Sequence, residues 1–243
     1  MNFNNILFLA NRHWLNKESE HLPKSASKFI PKWYSVADRF FKNQKNEYVI
    51  DEEGGKIPTW KSCPALLDAF TSGYILSTPC DILFYKNDQE KICIKIDDKR
   101  YEDFCVIRTE IDGFSNPKGY YKESFAWMSD WGIETPKGYS CIYITPANRF
   151  DLPFINTMGI IDTDKVSLPG SLPFFLTEGW TGLLPAGTPY VQVIPFKRES
   201  WNSSLKVDKA GDIYARIKDN RKKFRVPNGG VYLNKFWEKR EYR

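Results

Sequence analysis

From Tyr74 onward, the chain is a series of short apolar runs separated by glycine, proline, asparagine and aspartate. The runs cover residues 82–85, 92–96, 104–107, 139–144, 159–161, 173–176 and 190–194. Many short strands with turn residues between them are typical of a β-sandwich or a β-barrel. Aromatic residues make up 16% of the chain, and large rings fit a pleated, half-buried surface. The sequence therefore predicts a mainly β fold, a compact barrel or sandwich.

Two short helices are predicted before this β-rich part. The first covers residues 31–41, because Pro31 suits a first helical position and the apolar residues fall on one face. That face carries Trp33, Val36, Ala37 and Phe40. The second helix covers residues 64–72, with Pro64 at its start and Gly73 just past its end. Residues 6–9 form a further apolar run, which predicts a short strand near the N-terminus.

Basic charge concentrates at the C-terminal end. The chain has a net charge of +5, whereas residues 197–243 contain 14 basic and 6 acidic residues and so carry +8. Such a segment suits an acidic partner or a solvated surface. Within it, residues 212–225 predict a basic helix with a thin apolar stripe. We therefore divide the chain into an N-terminal arm (1–62), a β-rich core domain (63–196) and a basic C-terminal extension (197–243).

The basic extension leads to one functional alternative, the binding of nucleic acid. Lysine and arginine side chains contact phosphates, and the rings of Phe236 and Trp237 would stack on bases. The candidate phosphate contacts are Arg216, Lys218, Arg221, Lys222, Lys223 and Arg225. A basic helix is, however, more often a solvated face, so both interpretations stay open.

The cysteines and histidines argue against a disulfide framework and a metal site. The five cysteines are odd in number and contain no C-x-x-C pair, so we expect small buried thiols in a reducing compartment. The only histidines, His13 and His21, have no cysteine nearby. The sequence also contains no signal peptide and no run of the roughly 18 apolar residues that a membrane helix needs. We expect a cytoplasmic protein with no metal, no cofactor and no membrane partner.

Three segments carry a resemblance to a known family. Residues 136–146 read PKGYSCIYITP, residues 159–165 read GIIDTDK, and residues 184–194 read LPAGTPYVQVI. In this order they resemble the P-x-G-Y-x-x-x-I-x-P strand, the G-V-I-D-x-D-Y hairpin and the G-D-R-I-A-Q-L-I strand of the dUTPase and dCTP deaminase superfamily. Residues 72–76 also resemble its opening A-G-Y-D-L. The resemblance covers about residues 72–196 and implies a β-clip fold, with a jelly roll as the related alternative.

The resemblance implies a nucleotide site. In the family, the aspartate that matches Asp162 activates a water molecule, and Mg²⁺ binds the triphosphate, which is sound chemistry for pyrophosphate release. Asp164 matches the second aspartate of the same motif and is the other candidate catalytic residue. It also makes Arg149, Lys165 and Gln192 the candidate nucleotide-binding residues. The structural alternative is that the aspartates end a strand and cap turns.

Several positions depart from the family pattern. The phosphate-binding R-S-G is replaced by Ala147, Asn148 and Arg149, and the tyrosine that stacks on the deoxyribose is Lys165. The aspartate of the opening motif is Ile75. The glycine-rich phosphate clamp is absent, unless residues 228–230 (Asn-Gly-Gly) are its remnant. A site without phosphate donors and a sugar platform should hydrolyse nucleotides poorly.

We therefore expect a non-catalytic β-clip-like protein that acts by binding or assembly. The run of segments also resembles uncharacterised phage proteins, so we expect a phage-encoded, virion-associated or host-interacting protein, in host cytoplasm or virion. The resemblance to the dUTPase superfamily also implies a homo-oligomer, with a trimer as that family's usual state. The alternatives are a divergent nucleotide pyrophosphatase or nucleotide-binding regulator, and the nucleic-acid binder. A lectin-like role for Trp127, Trp131 and Trp180 is a further alternative that their spacing does not favour.

Overall fold

The computed structural model describes residues 4–10, 21–52, 54–108, 116–167, 170–224 and 235–243, with the side chains of 221–224 excluded. In these residues, fourteen strands form four antiparallel sheets, and there are few helices. The predicted mainly β class is confirmed. Each sheet of described strands has two open ends, so none of the four closes into a barrel by itself.

The fourteen described strands lie in one compact part of the chain, unit 1, which comprises residues 1–29, 73–198 and 242–243. They are β1 (Leu7–Leu9), β2 (Lys24–Ser25), β3 (Tyr74–Ser77), β4 (Ile82–Lys86), β5 (Ile92–Lys95), β6 (Cys105–Arg108), β7 (Ser124–Met128), β8 (Gly132–Glu134), β9 (Tyr139–Ile144), β10 (Phe154–Asn156), β11 (Gly159–Ile161), β12 (Ser171–Leu176), β13 (Gly182–Leu184) and β14 (Pro189–Lys197). The sheets have the orders β11-β9-β14-β3-β2, β10-β12-β7-β6, β13-β4-β5 and β1-β8. The largest sheet is centred on β14, which pairs with β9 and β3.

Every apolar run predicted as a strand is a strand in the structure, whereas β2, β3, β7, β8, β10 and β13 were not predicted. Four of these strands have two or three residues, too few to show a period. Of the other two, β3 is buried along its whole length, and β7 buries three successive residues, Phe125, Ala126 and Trp127. Because both of its faces are covered, β7 lacks the alternation of a half-exposed strand.

The chain divides into two compact units. Unit 1 comprises residues 1–29, 73–198 and 242–243, and unit 2 comprises residues 30–72 and 199–241. The described part of unit 2 includes the α-helices α1 (Lys32–Val36), α2 (Pro64–Thr71) and α3 (Asp212–Phe224). The predicted three-part division of the chain stays a prediction.

The core of unit 1 is built around stacked aromatic rings. Trp127 on β7 lies parallel to Phe174 on β12, with 3.9 Å between ring centroids, and Phe154 and Tyr190 pack against Trp127. Trp127 is fully buried and Trp131 is 5% exposed. The lectin-like alternative is therefore wrong for these two tryptophans, because their rings form the core and not a surface.

The first helix of unit 2 is shorter than predicted. It spans Lys32–Val36 instead of residues 31–41, and Pro31 precedes it as the N-cap residue. The Lys61 ammonium donates to the carbonyl oxygens of Tyr34 and Ser35, at 2.7 and 3.0 Å, and so caps the C-terminal end of the helix. The predicted apolar face is also wrong, because Tyr34 is the buried residue and Val36 is 69% exposed.

The second helix agrees with its prediction. It spans Pro64–Thr71, with proline at the first turn. Phe70 is buried, and its ring lies 4.6 Å from the ring of Tyr34 and 5.8 Å from that of Trp33. These three aromatic rings connect α1 with α2, so an aromatic cluster holds the helical part of unit 2 together.

The five cysteines are all free thiols. Cys80, Cys105 and Cys141 are buried as expected, whereas Cys93 is half-buried and Cys63 is exposed. None of the helices in the described part of the chain has the length and the apolar character that a membrane crossing requires.

Candidate functional site

Arg198 lies at the centre of a charged cluster that contains both candidate catalytic aspartates. It directly follows β14, and its backbone N–H donates to the carbonyl oxygen of Gly138 at 2.8 Å. Its guanidinium group donates to the carbonyl oxygen of Tyr139 and to Ser140 Oγ, at 2.9 and 3.0 Å. Arg198 therefore ties the end of β14 to the start of β9.

Asp164 is the most firmly held member of this cluster. Arg198 Nη1 donates to its Oδ1 at 2.7 Å, and Arg198 Nη2 donates to its Oδ2. The backbone N–H of Gly138 donates to the same Oδ2 at 2.7 Å. The Asp164 side chain is 4% exposed. A bidentate arginine–carboxylate pair has a defined geometry, so Asp164 fixes the turn after β11 against the start of β9.

The side chain of Asp162 is 42% exposed, and each of its carboxylate oxygens accepts a hydrogen bond. Ser140 Oγ donates to its Oδ1 at 2.7 Å, and Arg198 Nη1 lies 3.2 Å from that oxygen. Its Oδ2 accepts from Lys165 Nζ at 3.2 Å. The structure thus brings three of the predicted site residues, Asp162, Asp164 and Lys165, into one cluster.

The cluster holds both aspartates in the ionised form. Hydrogen bonds from Ser140 and Lys165 lower the pKa of Asp162. The pKa of Asp164 is far below its ordinary value, because Arg198 and the Gly138 N–H stabilise the carboxylate. The hydrogen bond to Asp164 in turn raises the pKa of Arg198. Such carboxylates are strong ion-pair acceptors and weak general bases, since a good base has a pKa close to the working pH.

Asp162 and Asp164 by themselves do not form a magnesium site, and in the resembled family the Mg²⁺ ion binds the triphosphate. Magnesium binds to open carboxylate oxygens and keeps several waters. All four carboxylate oxygens of Asp162 and Asp164 already lie against donors from Arg198, Lys165, Ser140 or Gly138. Among the residues that the structure describes, no group of three histidine, cysteine or acidic side chains could hold a metal ion.

The other two predicted nucleotide-binding residues lie at the opposite end of β9. Gln192 is 1% exposed, and its Oε1 accepts from the backbone N–H of Ala147 at 2.8 Å. Arg149 donates twice to Asp151, at 2.8 and 2.7 Å. Both residues hold the loop that follows Ile144. The four steps of β9 from Ser140 to Ile144 separate this loop from the aspartates by about 13 Å.

No protein-family model matches this chain, and no curated protein matches it.

Sequence reasoning missed the role of Arg198. Arg198 lies at the start of the basic segment 197–243, and its partners lie 34 to 60 positions earlier in the chain. The sequence shows Asp162 and Asp164 with one adjacent basic residue, Lys165, and it does not indicate that Arg198 is the partner of Asp164.

The basic helix was predicted correctly in its position. It spans Asp212–Phe224, and the side chains of Arg216 and Lys218 are exposed. Ile217 of the predicted apolar stripe is 46% exposed. The side chains of Arg221, Lys222 and Lys223, the whole of Arg225 and residues 228–230 lie outside the described part of the chain. Binding of nucleic acid through this helix stays a prediction.

The aromatic residues of the C-terminal extension were expected to stack on bases. The indole N–H of Trp237 instead donates to both carboxylate oxygens of Asp68 at 3.1 Å. Arg240 also pairs with Asp68, at 3.0 Å. Phe236 remains 63% exposed. Trp237 therefore anchors the extension within unit 2, and Phe236 is the ring with an exposed surface.

Proposed function

We propose that this chain is a non-catalytic protein that acts by binding and self-assembly, and that it does not hydrolyse nucleotides. The observation that carries the proposal is the engagement of Asp162 and Asp164 by Arg198, Lys165 and Ser140. A hydrolytic base needs an oxygen that faces a water molecule and a substrate. Here each carboxylate oxygen already accepts a hydrogen bond from the same protein, including both oxygens of Asp162, whose side chain is 42% exposed.

The two ends of β9 support the same proposal. A nucleotide hydrolase needs its base, its phosphate donors and its metal around one phosphate group. The loop with Arg149 and Gln192 lies at one end of β9, and the aspartates lie at the other. In addition, Arg149 is engaged by Asp151, which leaves its guanidinium less available to a phosphate.

We further propose that the β-rich unit has a β-clip-like fold and that copies of the chain associate. The five-stranded sheet centred on β14 contains all three segments of the family resemblance, in β9, β11 and β14. Sedimentation velocity over a range of protein concentrations tests this association.

The test of the non-catalytic proposal is an assay of pyrophosphate release. The full chain is incubated with each deoxynucleoside triphosphate and Mg²⁺, alongside an Asp162→Ala variant. The matched control is Asp97→Ala, which removes an aspartate whose side chain is 84% exposed. We expect all three proteins to release pyrophosphate at the rate of the buffer alone.

Activity in the full chain and in Asp97→Ala that disappears in Asp162→Ala would overturn the proposal. It would make the divergent pyrophosphatase the correct alternative. Circular dichroism of each variant shows whether a loss of activity reflects unfolding.

A further inference from the structure

Residues 201–208, which follow β14 closely, have the sequence WNSSLKVD. Trp201, Leu205 and Val207 occupy odd positions, and every even position in the segment is polar. Side chains alternate between the two faces of a strand, so this pattern places the apolar residues on one face. The segment, called here the assembly strand, therefore has the pattern of a half-buried β-strand.

The described chain does not bury this apolar face. Trp201 is 85% exposed, Leu205 is 93% exposed and Val207 is 68% exposed. The backbone N–H groups of residues 200–206 make no hydrogen bond to the backbone of any described residue. A segment with a strand pattern and no sheet partner has backbone N–H and C=O groups and an apolar face that another strand can contact.

A matching open edge is present on the five-stranded sheet. β11 is the end strand of this sheet, and no described strand pairs with its outer side. Met158 and Ile160, two residues apart along this edge, are 67% and 60% exposed. A Cβ atom built on Gly159 between them would meet no described atom within 4 Å. The edge is therefore open, short and apolar, and such edges are templates for an added strand.

We propose that the assembly strand of one copy adds to the outer edge of β11 in a second copy of this chain. This inference rests on the proposed self-association and names the surfaces that produce it. The added strand pairs its backbone with β11, and Leu205 and Val207, two residues apart, lie beside Met158 and Ile160, which have the same spacing. Both halves of the contact are apolar surfaces that every copy carries and that the described chain leaves exposed.

Charge favours a second copy as the occupant. Residues 197–243, which include the assembly strand, carry +8, whereas residues 1–196, which include β11, carry −3, so the two parts that meet in the proposed contact have opposite net charge. The contact joins two different surfaces, so it closes either as a reciprocal two-fold exchange or as a head-to-tail ring.

Three variants with the same type of change test the proposal in the full chain. Leu205→Asp places a charge on the assembly strand, and Ile160→Asp places one on the β11 edge. The control is Leu183→Asp on β13, an edge residue that is 54% exposed. Sedimentation equilibrium gives the mass and the dissociation constant of each protein, and circular dichroism confirms folding.

We expect an oligomer for the unmodified chain and for Leu183→Asp. Leu205→Asp and Ile160→Asp should each weaken association by roughly a hundredfold, because a charge then lies in the apolar contact. Both should therefore shift towards the 28.3 kDa monomer. If neither variant weakens the oligomer, the proposed contact between the assembly strand and β11 is wrong, while self-association stands. A monomeric unmodified chain would overturn both, and loss in Leu205→Asp alone would overturn the β11 edge.

A disulfide experiment checks that the contact joins two copies. Leu205→Cys and Ile160→Cys chains are prepared with Cys63→Ser and Cys93→Ser, mixed, and oxidised. We expect a disulfide-linked dimer that contains one chain of each type. A mixture of Leu205→Cys with Leu183→Cys should yield less of this product. Equal yields in the two mixtures would contradict the proposed pairing.

Discussion

Arg198 shows how a single side chain can determine the role of its neighbours. Its guanidinium contacts Asp164 through two nitrogens and also reaches Asp162, Ser140 and the carbonyl of Tyr139. The aspartates would be candidate bases in its absence. In its presence they are acceptors in an ion-pair cluster, and the proposal of a non-catalytic protein rests on this arrangement.

Replacement of Arg198 by glutamine should lower the stability of unit 1. The Asp164 side chain is 4% exposed, and without Arg198 it loses its counter-charge in a position that water barely reaches. Thermal unfolding followed by circular dichroism should show a lower midpoint for Arg198→Gln. The control Lys95→Gln breaks an exposed ion pair with Asp97 and should leave the midpoint nearly unchanged. Equal midpoints for the two variants would contradict the structural role.

The same pair predicts a dependence on pH. The pKa of Asp164 is lowered from its ordinary value of 3.8 in the folded chain, so the folded state binds its proton less readily than the unfolded state does. The stability from this group is complete above about pH 4 and is lost as the pH falls further. Urea unfolding between pH 3 and pH 6 should therefore show that the advantage of the unmodified chain over Arg198→Gln shrinks below about pH 4. A constant difference across this range would argue against the ion pair.

Gly73 is the position where the backbone leaves no room for a side chain. Its φ is +71°, and a Cβ atom there would lie 2.0 Å from the carbonyl oxygen of Val193 on β14. Gly73→Ala should therefore cost at least about 2 kcal/mol of the free energy of unfolding, from strain plus the clash. Gly179 has a φ of +79° with no described atom within 4 Å, so Gly179→Ala should cost about 1 kcal/mol. Urea unfolding of both variants measures the difference, and equal costs would contradict the close approach.

At the scale of elements, β10 is short but connects several strands through one side chain. Asn156 Oδ1 accepts from the indole N–H of Trp127 on β7 at 3.0 Å, and its Nδ2 donates to the carbonyl oxygen of Tyr190 on β14 at 2.6 Å. Its backbone N–H donates to Thr145 Oγ1 at 2.7 Å. This buried amide satisfies polar groups that would otherwise lie unpaired in the aromatic core.

Asn156→Ala should destabilise the chain by about 1–3 kcal/mol, because the buried Trp127 N–H and the Tyr190 carbonyl oxygen each lose a partner. The neighbouring Thr157 is exposed, so Thr157→Ala should change stability by less than about 0.5 kcal/mol. Chemical unfolding followed by tryptophan fluorescence measures the cost of both substitutions. A cost for Asn156→Ala as small as that of the control would show that water replaces the amide.

At the scale of the whole molecule, the cysteines report which parts of the chain are closed to solvent. Cys80, Cys105 and Cys141 are buried, Cys93 is half-buried and Cys63 is exposed. Burial raises the pKa of the Cys80 thiol to about 12, and it raises the pKa of Cys105 and Cys141 as well. Three of the five thiols are therefore both shielded and protonated.

Reaction with Ellman's reagent should reflect this order in the native chain. Cys63 should react first and Cys93 more slowly, whereas the three buried thiols should react after denaturation, because thiolate and access are both required. Cys63→Ser should remove the fast phase and leave the others unchanged. Fast reaction of three or more thiols without denaturant would contradict the packing of unit 1.

The sequence by itself determined the mainly β class, the strands with clear apolar runs, and the helices at residues 64–71 and 212–224. These features depend on local patterns, such as alternation, proline at a helix start and the periodic placement of apolar residues. The resemblance of residues 159–165 to a family motif also made Asp162 and Asp164 candidate catalytic residues, although the sequence did not determine what they contact.

The tertiary structure decided the rest, because it depends on residues far apart in the chain. Strand register places Arg198 beside Asp164 and Gly138, and it places Ala147 beside Gln192, pairings that no local pattern encodes. Burial on both faces of β7 turned Trp127 into a core residue, and capping by Lys61 ended α1 early. Local preference is a weak term that packing and distant hydrogen bonds override, and the site of this protein is made of such distant contacts.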